Sequence, residues 1–142
     1  AYRMFEERPM VGWGPGTYMF VYAPFQKPNE KTIISTNAGN RGNAHSEYLG
    51  PLAESGVLGM VSVIILVIVL MVYGIKLYHS LDKGPLKDYA VLAILGLITY
   101  FTHGFLNNFL DMDKASAPVW GFAAVLVSID LYYKKNSIVS KG

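Results

Sequence analysis

The sequence predicts an all-α integral membrane protein, three transmembrane helices preceded by a loop domain outside the bilayer. Apolar residues make up 52% of the 142-residue chain and charged residues only 15%, against about a quarter in soluble domains. Three long stretches, about 56–76, 89–110 and 115–133, are poor in charge. They divide the chain into a loop segment, 1–55, and a membrane segment with a short tail, 56–142.

Ala1 to Arg8 lacks the basic start and apolar centre of a signal peptide. It reads as the end of a helix stopped by Pro9, so the chain is expected to be the C-terminal part of a longer protein. Gly12-Trp13-Gly14-Pro15-Gly16 is too rich in glycine and proline for a helix or a central strand. Thr17 to Ala23 suits a short strand or helix, and Thr32 to Thr36 has strand composition. Asn37 to Asn43 reads as a tight turn whose amides suit an anion, although a plain surface turn fits as well. A helix from about His45 would align Leu49, Leu52, Ala53 and Gly56 on one stripe. A break near Gly50 is expected, since Pro51 suits the first turn of a following helix.

Gly56 to Ile75 is uncharged. At about 1.5 Å per residue it just crosses a hydrocarbon core of roughly 30 Å. Val57 to Met71 shows no polar face, which argues against a helix of a soluble protein. Tyr89 to Leu110 is interrupted by His103, with Asn107 expected one turn beyond it on the same face. Ala115 to Tyr133 is the weakest run, with Pro118 near its start and Asp130 near its end. Asp130 and Lys134 are four apart and are expected to pair.

The loops set the orientation. Lys76, Lys83 and Lys87 fall in the first connection and Lys134, Lys135 and Lys141 in the tail. Lysine excess marks the cytoplasmic side, and three spans put both groups there. Residues 1–55 are then periplasmic and the C-terminus cytoplasmic, in a bacterial inner membrane. Tyr73, Tyr78, Tyr89, Tyr132 and Tyr133 cluster near the expected inner boundary. Trp13, Tyr18, Tyr22 and Phe25 suit either interface anchoring or stacking on sugar rings.

The net charge of +2 is too small to imply nucleic acid as a partner. With no cysteine, disulfide and thiolate chemistry are excluded. No spacing typical of a metal cage is present, and no cofactor is implied.

The chemistry-bearing stretch is His45-Ser46, then Glu47 to Ser55, then Gly56-Val57-Leu58-Gly59. It sets one histidine in a polar loop, one short helix away from the start of a long apolar run. Spacing alone leaves His45 as either a hydrogen-bonding interfacial residue or a proton acceptor suited to near-neutral pH. Arg41 is the basic residue nearest to it in sequence, either solvated or a bidentate phosphate ligand.

This string resembles the pattern of the O-antigen ligase and O-antigen polymerase family of bacterial inner membranes: a histidine, a small polar residue, nine residues, then two glycines three apart. Pro9 to Tyr18 is similar to the same family's glycine-rich lead-in, so that Gly12, Gly14, Gly16, Gly56 and Gly59 form the structural motif. The likeness covers roughly the first sixty residues.

The resemblance implies a metal-independent glycosyltransferase. Such an enzyme moves a glycan from undecaprenyl pyrophosphate to an acceptor hydroxyl, on the lipid A core in a ligase or on another repeat unit in a polymerase. It implies His45 as the catalytic base, and it implies that the arginines the family uses for pyrophosphate lie before Ala1; Arg41 is the pyrophosphate-ligand candidate because of its nearness to His45. Ser46, Glu47, Tyr48 and His103 are accessory candidates, with His103 equally suited to an interhelical hydrogen bond. Glu47 is a reserve base or a cap partner, and Glu54 is expected at the interface. The implied partners are the bilayer, the lipid-linked glycan, its acceptor and preceding transmembrane helices. Without those helices the segment is expected to be inactive. The rival of another class is a lipid-linked glycan transporter or flippase. Such a protein should carry charged or broken segments at the bilayer midplane, and the first apolar run has no charge.

Overall fold

The computed structural model describes residues 1–32, 35–36, 42–108 and 113–139, apart from the side chains at 30, 113–115 and 137–139. Every regular element among them is helical. In order they are α1 (Tyr2–Glu7), α2 (Tyr18–Val21), two 3-10 turns (Ala23–Phe25 and Pro28–Glu30), α3 (Leu49–Ser80), α4 (Pro85–His103) and α5 (Asp113–Val139). Thr17 to Ala23 is thus helical rather than extended. Ile33 and Ile34, the centre of the strand-like stretch, lie outside the described residues, as do Asn37 to Arg41.

The chain divides into two compact units, Ala1–Ile65 with Gly104–Phe109, and Leu66–His103 with Leu110–Gly142. The second unit packs the later turns of α3 with α4 and α5. Its core includes Leu77, Leu97, Phe101, Val119 and Leu126, all buried. Polar bonds fasten one end. The Tyr73 hydroxyl donates to Asp130 Oδ2 at 2.9 Å, and Lys134 Nζ donates to the same oxygen at 2.8 Å, so the expected Asp130–Lys134 pair forms. The Tyr133 hydroxyl donates to Asp82 at 3.2 Å.

Two helices are long and apolar enough to cross a membrane, Leu49–Ser80 with mean hydropathy 2.9 and Ser116–Asn136 with 1.2. Only 6% of the apolar window of the first is buried and 17% of that of the second. A core helix of a soluble protein would hide such side chains, whereas Ile65, Ile68, Val69 and Val72 stand exposed along α3. α4 carries Lys87 and Asp88 in its first turns and is not among the two.

Three departures from the expected helix boundaries bear on the site. α3 begins at Leu49, not His45, because the Ser46 hydroxyl oxygen accepts the N–H groups of Tyr48 and Leu49, each at 3.3 Å, and so caps the helix start. Pro51 sits in that first turn, as expected. The break lies at Gly56, not Gly50: Gly56 has φ 66° and ψ −158° inside α3. α4 stops at His103, well short of Leu110. There the carbonyls of Gly104 and Asn107 turn to accept the Glu47 N–H, at 2.8 and 3.2 Å. Asn107 therefore lies outside the helix and shares no helical face with His103.

Candidate functional site

The first unit is organised by the glycines. At Gly56 the helical ladder opens, and the glycine-rich loop fills it. The Val57 N–H donates to the Pro9 carbonyl at 2.8 Å. The freed carbonyls of Ala53 and Glu54 accept the N–H groups of Trp13, at 3.2 Å, and Gly14, at 2.7 Å. Backbone meets backbone so closely that a Cβ on Gly12 would fall 2.4 Å from the Glu54 carbonyl carbon, and one on Gly56 2.5 Å from that of Met10. Only glycine fits either place, and both also have positive φ.

Glu54 adds a side-chain clamp to this seam. Its Oε2 accepts the Gly16 N–H and its Oε1 the Tyr18 N–H, both at 2.8 Å. The carboxylate thus fixes the start of α2. Around it the aromatic residues pack on one another. Trp13 meets Phe25 edge-on at 5.4 Å, Tyr18 stacks on Tyr22 at 5.4 Å, and Met4, Tyr22 and Ala53 form the buried centre. The Trp13 indole N–H donates to the Met4 carbonyl at 3.0 Å.

The His45 segment hangs from this core. The Tyr22 hydroxyl accepts the Gly42 N–H at 2.9 Å, in a buried bond. Asn43 Oδ1 accepts the His45 N–H at 3.0 Å. His45 itself has φ 46°, the sole described non-glycine residue with positive φ. That conformation costs about 1–2 kcal/mol and is held by its surroundings. The chain then turns inward. Ser46 and Glu47 are buried, and Tyr48 stacks on Phe105 at 4.5 Å.

His45 stays exposed, at one side of a cleft of about 580 Å³. The cleft also presents Arg3, Lys27, Tyr18, Tyr22 and Gln26, and no carboxylate is among its described lining residues. Arg3 is oriented by donating to the Phe25 carbonyl at 2.8 Å. Arg3 and Lys27 give the described lining a positive character that suits an anionic ligand. Burial pushes the Tyr18 phenol above its ordinary value, with the neighbouring Tyr22 adding to the effect. The Tyr48 phenol is raised by burial and by the Glu47 charge. Both phenols therefore remain neutral hydrogen-bonding groups at physiological pH.

The structure brings Gly12, Gly14, Gly16, Gly56, Gly59, His45, Ser46, Glu47 and Tyr48 into one unit. Ser46 serves as a helix cap. Glu47 offers its main-chain N–H to the 104–107 turn. Gly59 faces the Pro51 carbonyl across the kink, where a Cβ would meet that oxygen at 2.6 Å. His103 is exposed at the end of α4, in the other unit. Arg41 lies outside the described residues. Glu54 is a clamp on the Gly16 and Tyr18 N–H groups. Sequence reasoning missed Arg3 and Lys27, since they stand far from His45 along the chain. The one available signal was that few cations occur in the loop segment at all.

The chain matches no family model, no curated protein and no solved structure.

Proposed function

We propose that the protein is a membrane glycosyltransferase of the O-antigen ligase type, moving a glycan from undecaprenyl pyrophosphate to an acceptor hydroxyl. The observation that carries this reading is the cleft, where an exposed histidine shares the described lining with Arg3 and Lys27. It belongs to the unit that contains the start of α3, the more apolar of the two candidate spans. A lipid-linked anionic donor requires these neighbours. The family likeness of the His45 to Gly59 string is the second support.

In the proposed reaction an acceptor sugar hydroxyl attacks the anomeric carbon of the donor glycan. The new glycosidic C–O bond forms as the C–O bond to pyrophosphate breaks. An imidazole nitrogen of His45 takes the hydroxyl proton, and the electron pair leaves on undecaprenyl pyrophosphate. Arg3, Lys27 and Arg41 meet the developing negative charge. In this reading α4 also spans the bilayer, between α3 and α5 in chain order, residues 1–55 face the periplasm and the tail faces the cytoplasm of a bacterial inner membrane.

The test is glycolipid analysis of a deletion strain carrying the parental or the His45→Asn protein. Asparagine tolerates positive φ, so this variant keeps the backbone and removes the base. Loss of all long chains from the lipid A core, restored by the parent and not by His45→Asn, supports a ligase. Core capped by a single repeat unit points to a polymerase instead. Full restoration by well-inserted His45→Asn overturns the catalytic role.

A further inference from the structure

We infer that Glu54 is a positioning residue for His45, acting through Tyr22; this rests on the reading of His45 as the proton acceptor. A continuous set of bonds joins the two. Glu54 Oε1 accepts the Tyr18 N–H at 2.8 Å. One turn of α2 follows, in which the Tyr22 N–H donates to the Tyr18 carbonyl at 3.0 Å. The Tyr22 ring stacks on Tyr18 and its hydroxyl accepts the Gly42 N–H. Gly42 adjoins Asn43, whose side chain accepts the His45 N–H.

The chain from Gly42 to His45 contains no regular element. Its bonds to the rest of the unit therefore decide where the imidazole points. The Tyr22–Gly42 bond is buried, and the fit is close: a Cβ on Gly42 would lie 2.7 Å from the Tyr22 hydroxyl oxygen. Any shift of α2 is transmitted to that contact. Glu54 fixes α2 with both carboxylate oxygens, through two charge-assisted bonds to main-chain N–H groups. From the other side, Ser46 and Glu47 are pinned by the α3 cap and the 104–107 turn. His45 thus spans two anchors, and its positive φ is the conformation that joins them.

A carboxylate is suited to this task. Gly16 and Tyr18 present two N–H groups that must be met by two acceptors on one side chain. Glutamine supplies a single acceptor oxygen and places an NH₂ group against one of the two donors. The outcome is an unsatisfied main-chain N–H and a loosened α2.

The experiment measures transfer kinetics in membranes for Glu54→Gln, Tyr22→Phe, His45→Asn and the Glu54→Gln/His45→Asn pair, each with inserted protein quantified. Glu54→Gln and Tyr22→Phe are expected to lower kcat up to about 10²-fold, the effect of an ångström-scale misplacement, with donor KM little changed. Glu54→Asp, which keeps both oxygens, should recover part of the loss. Because Glu54 acts through His45, the double variant should be no slower than His45→Asn alone. A multiplicative loss in the double variant overturns the inference, and so does a Glu54→Gln protein with parental kcat.

The chain has no cysteine, which permits a readout independent of transfer. Maleimide labelling of Ala44→Cys should speed up about tenfold in the Glu54→Gln and Tyr22→Phe backgrounds, as expected for loss of a charge-assisted or buried hydrogen bond. Unchanged labelling refutes the coupling of Glu54 to the loop whatever the chemistry of His45. If His45→Asn transfers at the parental rate, the catalytic reading fails, and the positioning role for a proton acceptor fails with it. The labelling result then still reports separately whether Glu54 holds the loop.

Discussion

The main-chain N–H of Val57 donates to the carbonyl of Pro9 at 2.8 Å, at the point where α3 leaves its own ladder. In an unbroken helix Val57 would bond to Ala53, and Leu58 to Glu54. Here Trp13 and Gly14 take those two carbonyls, and Pro9 supplies the acceptor that Val57 lacks. A kink in a helix ordinarily exposes polar backbone, which is costly beside a bilayer. In this chain the glycine-rich loop satisfies these groups. The loop and the kink are therefore one structure, and neither is expected to form without the other.

This relation predicts a graded response to alanine. Gly16 has φ 73°, and a Cβ there would meet nothing within 4 Å, so Gly16→Ala should cost only the left-handed conformation, about 1–2 kcal/mol. Gly56→Ala and Gly12→Ala add backbone overlap and should cost about 3 kcal/mol or more. Thermal unfolding midpoints in detergent check the order. Equal midpoints for Gly16→Ala and Gly56→Ala contradict the interlocked seam.

The glycines themselves were legible in the sequence; their partners were not. Hydropathy located α3 because Val57 to Ile75 is apolar on every side. It overshot α4 because Phe105, Leu106 and Leu110 continue the apolar pattern beyond Gly104, where the helix stops. The clamp made by Glu54 was not legible because its partners are main-chain N–H groups about forty residues away along the chain, and such donors have no residue type to recognise. Arg3 and Lys27 reach the cleft through the packing of α1 and the turns after α2, which no local periodicity encodes. His45 stood out because its surroundings in sequence are polar, glycine-rich and next to an apolar run.

The lysine distribution predicts the periplasmic side of the loop unit. Ser46 is a poor reporter, since it is 2% exposed and caps α3. Asn43, Lys83 and Lys135 are all exposed. Single cysteines at these positions, treated with an impermeant maleimide in spheroplasts, should label at Asn43→Cys alone. After lysis all three should react. Labelling of Lys83→Cys in intact spheroplasts reverses the orientation.

The raised phenols of Tyr18 and Tyr48 predict alkaline weakening of the loop unit. Their folded values lie above the ordinary 10.0. The unfolded chain loses these protons first as pH rises. The stabilising contribution is therefore whole below the unfolded value and is lost as pH climbs through the folded ones. Unfolding midpoints measured from about pH 8 to pH 11 should fall in the upper part of that range. A Tyr18→Phe/Tyr48→Phe protein should show a shallower fall. An identical slope in that protein would assign the alkaline loss to other groups.

The cleft predicts that donor binding and proton transfer separate between residues. Lys27 is exposed, so Lys27→Gln removes a charge with little effect on folding. Arg3 also orients the Phe25 carbonyl, so Arg3→Lys, which keeps the charge and loses the fork, is the cleaner variant there. Each should weaken donor binding about tenfold, the value of one charge-assisted contact, with kcat nearly unchanged. The Lys27 effect should shrink at high salt, because an exposed cation is screened. His45→Asn should instead lower kcat about 10²–10⁴-fold, the range for a positioned base, and leave donor affinity intact. Single-turnover measurements keep affinity and chemistry distinct. The Lys27→Gln/His45→Asn double variant should then show the product of the two losses, since one acts on binding and the other on proton transfer. A Lys27→Gln protein that binds donor like the parent at low salt removes the pyrophosphate from this side of the cleft, and leaves Arg3 as the described cation that holds it.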